Sequence, residues 1–163
     1  MQEIIKIDTP NNAYLSNLDK ECYILSSNLD DSYCTSIINK ALNEKKIILF
    51  YGDDAVNKAQ KLKASGVVVS LKDDKLKPQM ESLKKELGKN SIIGLFSRNR
   101  RHEAMLTSEL EPDFIIFKVW KEGLDKTLEL LSWYNDFFLI QSCAWLEDDD
   151  IDLSLINTDF IIK

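Results

Sequence analysis

Three arginines and the only histidine of this chain fall within "SRNRRH", residues 97–102, between the apolar run "IIGLF" and a helical pattern. Cations at a helix start oppose the macrodipole by roughly 0.3–1 kcal/mol each. Such a cluster therefore calls for compensating carboxylates or for an anionic ligand. The guanidinium forks of Arg98, Arg100 and Arg101, with the Ser97 hydroxyl and free backbone N–H groups, suit phosphate or carboxylate. The alternative pairs the arginines with Glu103, Glu109 or the run "EDDD" at 147–150. His102 has no partner for general-base chemistry that the sequence identifies. A second group is Lys118 in "DFIIFKVW" (113–120), where strand alternation puts Ile116, Lys118 and Trp120 on one face and Phe117 and Val119 on the other. A lysine there binds phosphate, or forms a Schiff base if desolvation lowers its pKa. It is the one candidate for a catalytic group; its alternative is an ion pair with Asp73 or Asp53. Asp53 and Asp54 follow Gly52 and read as helix caps, or as weak Mg²⁺ ligands that need a diphosphate to complete the shell. No Ser-His-Asp order, zinc spacing or P-loop is present.

The elements that must hold these residues repeat with a rhythm. Short, almost continuously apolar runs occur at 22–27, 46–52, 66–71, 91–97, 113–120, 136–145 and 159–163. Runs of that kind suit strands buried on both faces of a parallel sheet. Between them lie helical patterns. Asp30, Asp31 and Ser32 precede Ile37, Ile38, Ala41 and Leu42; Leu76, Met80, Leu83 and Leu87 precede Gly88; Leu124, Leu128 and Leu131 form a third set. Strand and helix alternate with the length of a βα unit, which predicts an α/β fold with parallel strands. The even period favours a (β/α) TIM-type barrel over an open flavodoxin-like sheet, and the turn after the first of these runs lacks the glycines of a dinucleotide fold. About seven units are countable, fewer than the usual eight. The expectation is a shortened barrel, incompletely closed, forming one domain over 1–163. Residues 1–21 are expected as an irregular segment whose "EIIKI" supplies an irregular strand or covers an open edge.

A net charge of −6 and a pI near 4.9 argue against nucleic acid and anionic membrane surfaces as partners. No apolar run approaches the roughly 20 residues of a membrane span. The start, "MQEIIKIDTPNN", has no secretory pattern. Cys22, Cys34 and Cys143 match no zinc or redox spacing and read as small buried hydrophobes, which makes a reducing cytoplasmic location the default.

From residue 46 onward the chain resembles the thiamine phosphate synthase and TenI-like family of (β/α) barrels. The resemblance is carried by "IILFYGDDAVNKAQKLKASGVVVSL", by "LKKELGKNSIIGLFSRNRRHEAMLTSELEPDFIIF", by "FFLIQSCAW" and by "TDFIIK". It implies a transferase joining a pyrimidine diphosphate to a thiazole phosphate with Mg²⁺, with Asp53 or Asp54 and Ser97 at matching functional places. Gln141 and Ser142 stand where the family has a Gly-Gly pair, Leu71 stands where another glycine is expected, and Lys118 and Trp120 enter the mouth. The sequence ends at Lys163, where the resemblance would place one more helix. Glycine leaves room for substrate at the backbone, so these replacements predict a degraded transfer reaction. What is expected to remain is a phosphorylated small molecule held at the C-terminal barrel face by Ser97, Arg98, Arg100, Arg101, Lys118, Gln141 and Ser142, with no cofactor other than Mg²⁺, and that only if the family reaction survives. The alternative is a non-catalytic interaction module, dimeric through Trp133, Tyr134, Phe137 and Phe138.

Overall fold

A computed structural model describes all residues from Met1 to Lys163. Its strands are β1 (Gln2–Ile7), β2 (Cys22–Ser26), β3 (Ile47–Tyr51), β4 (Gly66–Val69), β5 (Ile92–Ser97), β6 (Phe114–Val119), β7 (Gln141–Leu146) and β8 (Phe160–Ile162). Its helices are α1 (Ala13–Ser16), α2 (Asp31–Glu44), α3 (Ala55–Leu62), α4 (Leu76–Leu87), α5 (Arg101–Glu109) and α6 (Leu124–Phe137). The strands follow one another in chain order around a closed barrel. The count of seven units is thus corrected to eight strands, and the incomplete closure and the open sheet both fall. Residues 1–21 are not irregular: β1 pairs parallel with β2, Ile5 opposite Tyr23 and Ile7 opposite Leu25. The unit was hidden because its helix is only four residues long. Eight strands fit in so short a chain for the same reason. Helix α3 has 8 residues and α5 has 9, and a three-residue 3₁₀ turn, Leu153–Leu155, is the only helical element between β7 and β8. No helix is long and apolar enough to cross a membrane.

Contacts gather the chain into two compact units, one of Ile4–Val69 with Ser82–Ile93, the other of Met1–Glu3, Ser70–Glu81 and Gly94–Lys163. In the first, β2 and β3 pair in register from Cys22 opposite Ile47 to Ser26 opposite Tyr51. Helix α2 buries Cys34, Ile37, Ile38 and Ala41, while Leu42, expected on that face, is exposed. Gly66 opens β4 because a Cβ there would strike the Ile92 backbone. Burial alone pushes the Cys22 thiol up to about 12, so that cysteine is inert.

In the second unit β6 pairs with β7 from Phe114 opposite Gln141 to Val119 opposite Leu146. Ile115, Phe117 and Val119 share a buried cluster with Ala104 of α5 and with Leu130, Leu131 and Tyr134 of α6. The alternating residues, Ile116 and Lys118, therefore take the other face of the sheet, as the sequence predicts. The Phe117 ring meets Tyr134 edge-on at 5.3 Å, and the Tyr134 and Ser108 hydroxyls hydrogen-bond at 3.0 Å. Burial raises the Tyr134 phenol pKa. Tyr134 is fully buried, so it leaves the apolar patch expected on the surface; the exposed apolar side chains at that end of α6 are Phe137 and Leu139.

Candidate functional site

A strand that ends at a loop presents its last side chains there, and in parallel barrels these loops carry the chemistry. The second unit has such a place. The loops after β4, β5 and β6 and the first turns of α4 and α5 border a cleft of about 620 Å³. Ser97, Arg98, Asn99, His102 and Lys118 contribute polar groups to it, and Leu76, Leu95, Phe96, Leu106, Leu110 and Trp120 contribute apolar surface. The floor is well fixed. The Phe96 ring packs edge-on against Trp145 at 5.1 Å, and the Lys118 ammonium lies 5.4 Å from the Phe96 centroid. Two residues back along β5, Gly94 is required because the Phe114 ring fills the position of its absent Cβ.

Sequence reasoning grouped seven binding residues; the fold separates them. Arg98 borders the cleft and its guanidinium donates to the Asp73 carboxylate at 2.7 Å. Lys118 borders it too, with Glu147 at 3.6 Å as its ion-pair partner in place of the expected Asp73 or Asp53. The Ser97 hydroxyl donates to the Arg98 carbonyl at 2.9 Å, which tightens the turn after β5. Arg100, three-quarters exposed, lies 3.9 Å from Glu103, and Arg101 stacks over the Trp133 ring at 5.1 Å. Neither of those two arginines lines the cleft.

Gln141 and Ser142 stand elsewhere. They begin β7, with Gln141 in register with Phe114 at the start of β6, whereas the cleft is reached at Lys118, in register with Trp145. Ser142 is occupied in the fold: its N–H donates to Asp159 at 2.9 Å and its hydroxyl to Asn135 at 2.7 Å. The likeness of "FFLIQSCAW" to a glycine-ended strand placed the pair at the wrong end, because the strand continues for four more residues to Leu146. Asp53 and Asp54 belong to the first unit. Asp54 takes the N-cap position of α3 without a capping side-chain hydrogen bond, and its own N–H donates to the Ser27 hydroxyl at 3.3 Å. No group of three or more His, Cys, Asp or Glu side chains is placed to hold a metal ion, so the two aspartates do not form a protein-only Mg²⁺ centre.

Two further residues shape the cleft. Asn99 donates from its amide to the Lys118 carbonyl at 2.8 Å, tying the β5–α5 loop to the end of β6. Its place inside "SRNRRH" was the available signal. Asp73, read only as a partner for Lys118, is the counter-ion of Arg98; the pairing spans 25 residues and no local pattern announces it.

With charges, hydrogen-bond donors and apolar surface in one cleft, the arrangement can hold an anion attached to an apolar body. No protein-family model matches the chain. Residues of the chain are 30% identical over 105 positions to the thiamine-phosphate synthase of Erythrobacter litoralis (strain HTCC2594), covering 60% of this chain and 47% of that protein. The chain thus spans about half the length of this curated relative. Among solved structures, tryptophan synthase from M. tuberculosis in its aminoacrylate-bound form superposes with a TM-score of 0.67 over 99% of this chain and 82% of that one. At 9% identity this likeness shows the fold, a TIM-type α/β barrel.

Proposed function

We propose that this chain is a divergent thiamine phosphate synthase-like barrel protein that binds a phosphorylated small molecule in the cleft of the second unit. The observation that carries the reading is the convergence of Arg98, Lys118, Ser97, Asn99 and His102 on one cleft, which is otherwise lined by apolar side chains, the hydroxyls of Ser70 and Thr107 and the carboxylates of Asp73 and Glu103. Arginine and lysine together supply a bidentate fork and a point charge, the combination suited to a phosphate ester. The transferase activity suggested by the curated relative is reduced or lost in this proposal, since Leu71, in the cleft lining, stands where the resemblance expects a glycine. Mg²⁺ enters this reading only with a diphosphate ligand, which would itself supply much of the ion's oxygen shell. That Cys22, Cys34 and Cys143 form no disulfide fits the cytoplasmic location proposed for it.

The test is a thermal-shift titration with phosphate, diphosphate and thiamine phosphate, with and without Mg²⁺, on the native chain and on Arg98→Ala. A ligand at 100 times its dissociation constant stabilises by about 2.7 kcal/mol. The expected result is a shift in the native chain that Arg98→Ala loses. No shift with any of the three anions would reject the reading. The second reading, a dimeric interaction module, draws on the exposed Phe137 and Leu139 at the end of α6; sedimentation showing a strict monomer at high concentration would remove it.

A further inference from the structure

The β4–α4 loop carries a carboxylate into the cleft, and one side chain holds that loop in place. Gln79, in the first turns of α4, accepts from the Lys72 N–H at 2.9 Å and donates to the carbonyls of Lys72 at 3.1 Å, Asp74 at 2.6 Å and Lys75 at 3.1 Å. A single amide thus reaches four backbone groups of the six-residue loop, its two N–H hydrogens shared among three carbonyls. The loop is drawn tight enough that Lys75 adopts φ 55°, in the left-handed region that a side chain resists. The product of this folding is the position of Asp73, whose carboxylate lies 2.7 Å from the Arg98 guanidinium while both side chains stay largely open to water. Gln79 itself is not part of the cleft lining.

Resting on the anion site proposed above, we infer that Asp73 is a built-in competitor for Arg98, positioned by Gln79, and that it holds the cleft's affinity for anions below what Arg98 and Lys118 would give alone. An incoming anion must take Arg98 from a carboxylate already in contact with it. That exchange costs a carboxylate and a phosphate ligand the same at Arg98, so the competitor sets affinity. A phosphate dianion also meets about twice the repulsion that a monoanion meets from the Asp73 charge, while Lys118, in the same cleft, attracts both. Lys118 is also the weaker-held cation, with Glu147 at 3.6 Å. Asp73 acts as a tethered competitor whose effective concentration is set by how firmly the loop is held. Freeing the loop therefore has the same direction of effect as neutralising the carboxylate.

Isothermal titration at constant ionic strength and pH 8, with inorganic phosphate and with acetate as probes, tests this on the full chain. An exposed ion pair is worth up to about 1 kcal/mol, which corresponds to about a five-fold change in affinity. Asp73→Asn is expected to tighten phosphate by about two- to five-fold and acetate by less, because the dianion meets more of the Asp73 repulsion. Gln79→Ala is expected to tighten phosphate by less. The double variant should bind no tighter than Asp73→Asn alone, because Gln79 acts through Asp73; a purely structural role of Gln79 would not give that non-additivity. Native binding with phosphate equal or weaker in Asp73→Asn overturns the inference and leaves the anion site standing. Absence of phosphate binding in both the native chain and Asp73→Asn removes the site and the inference with it.

Discussion

The two units spend their loop charges differently. In the first, Lys58 is buried on α3; its ammonium donates to the Leu29 carbonyl at 2.5 Å and pairs with Asp31 at 2.7 Å, while Lys61 reaches the other oxygen of Asp31 at 2.6 Å. One carboxylate at the start of α2 is thereby clamped by two lysines of α3. In the second, Arg98–Asp73 and Lys118–Glu147 are one-to-one pairs, and the cations border a cleft. Desolvation decides the difference. A buried ammonium cannot release its partners without leaving a carbonyl unsatisfied, whereas exposed pairs exchange partners at little cost. Charges of the first kind hold helices; charges of the second kind are available to a ligand.

Two truncations put the largest numbers on that contrast. Lys58→Ala is expected to lower stability by about 2 kcal/mol, from the orphaned Leu29 carbonyl and the lost packing of the lysine stem. Lys118→Ala, with a side chain nearly half exposed, is expected to stay within about 0.5 kcal/mol of the native value. Urea unfolding of both variants measures it. Equal losses would mean that the cleft cations are structural as well, and would weaken the case for a ligand.

Acid sharpens the same comparison. Hydrogen bonds from Lys58 first and Lys61 second hold the Asp31 carboxyl down to about 2, from an ordinary 3.8. A carboxyl whose folded pKa lies below its unfolded one stabilises fully above the unfolded value and loses that contribution as pH falls through the folded one. The Asp31 contribution is thus complete above about pH 4 and disappears towards pH 2. Urea midpoints measured from pH 5 down to pH 2 should fall less steeply in Asp31→Asn. Some slope remains, because Asp150, bonded by Lys121, and Asp152, which accepts from the Ser154 hydroxyl and N–H, are also lowered. An unchanged slope in Asp31→Asn would show that the clamp does not form in solution.

The sequence revealed most where a feature is periodic. Alternation in "DFIIFKVW" placed Lys118 correctly because strand geometry imposes a period of two over six residues, and the leucine spacing of α4 ended at Gly88, where φ is 87°. It revealed less where the periodic stretch is short. Strand β1 was seen as "EIIKI", but a four-residue helix gives no face to read, so the first βα unit went uncounted. The site was half legible. Arg98 and Ser97 follow directly from the end of β5, while Arg101 was misplaced because a guanidinium beside an anion loop and one stacked on Trp133 look alike in sequence. Asp73 and Glu147 come from other loops, and only the fold brings them to their cations.

The smallest effect separates strain at helix ends from strain at the cleft. Lys45 and Lys63 close α2 and α3 with φ of 59° and 58°, each at the position where a left-handed residue lets the chain leave a helix. Glycine relieves the Cβ crowding there but adds freedom to the unfolded chain, so the net gain is about 0.5 kcal/mol each. Lys45→Gly and Lys63→Gly should therefore raise the urea midpoint slightly and leave the phosphate titration untouched. Lys75 has the same backbone geometry, φ 55°, but lies in the loop that Gln79 folds around Asp73. By the same relief, Lys75→Gly should hold that loop more firmly and weaken phosphate slightly, opposite in direction to Gln79→Ala. If Lys63→Gly moves the phosphate curve as much as Lys75→Gly does, the first unit influences the cleft as well, and its charges are not purely structural.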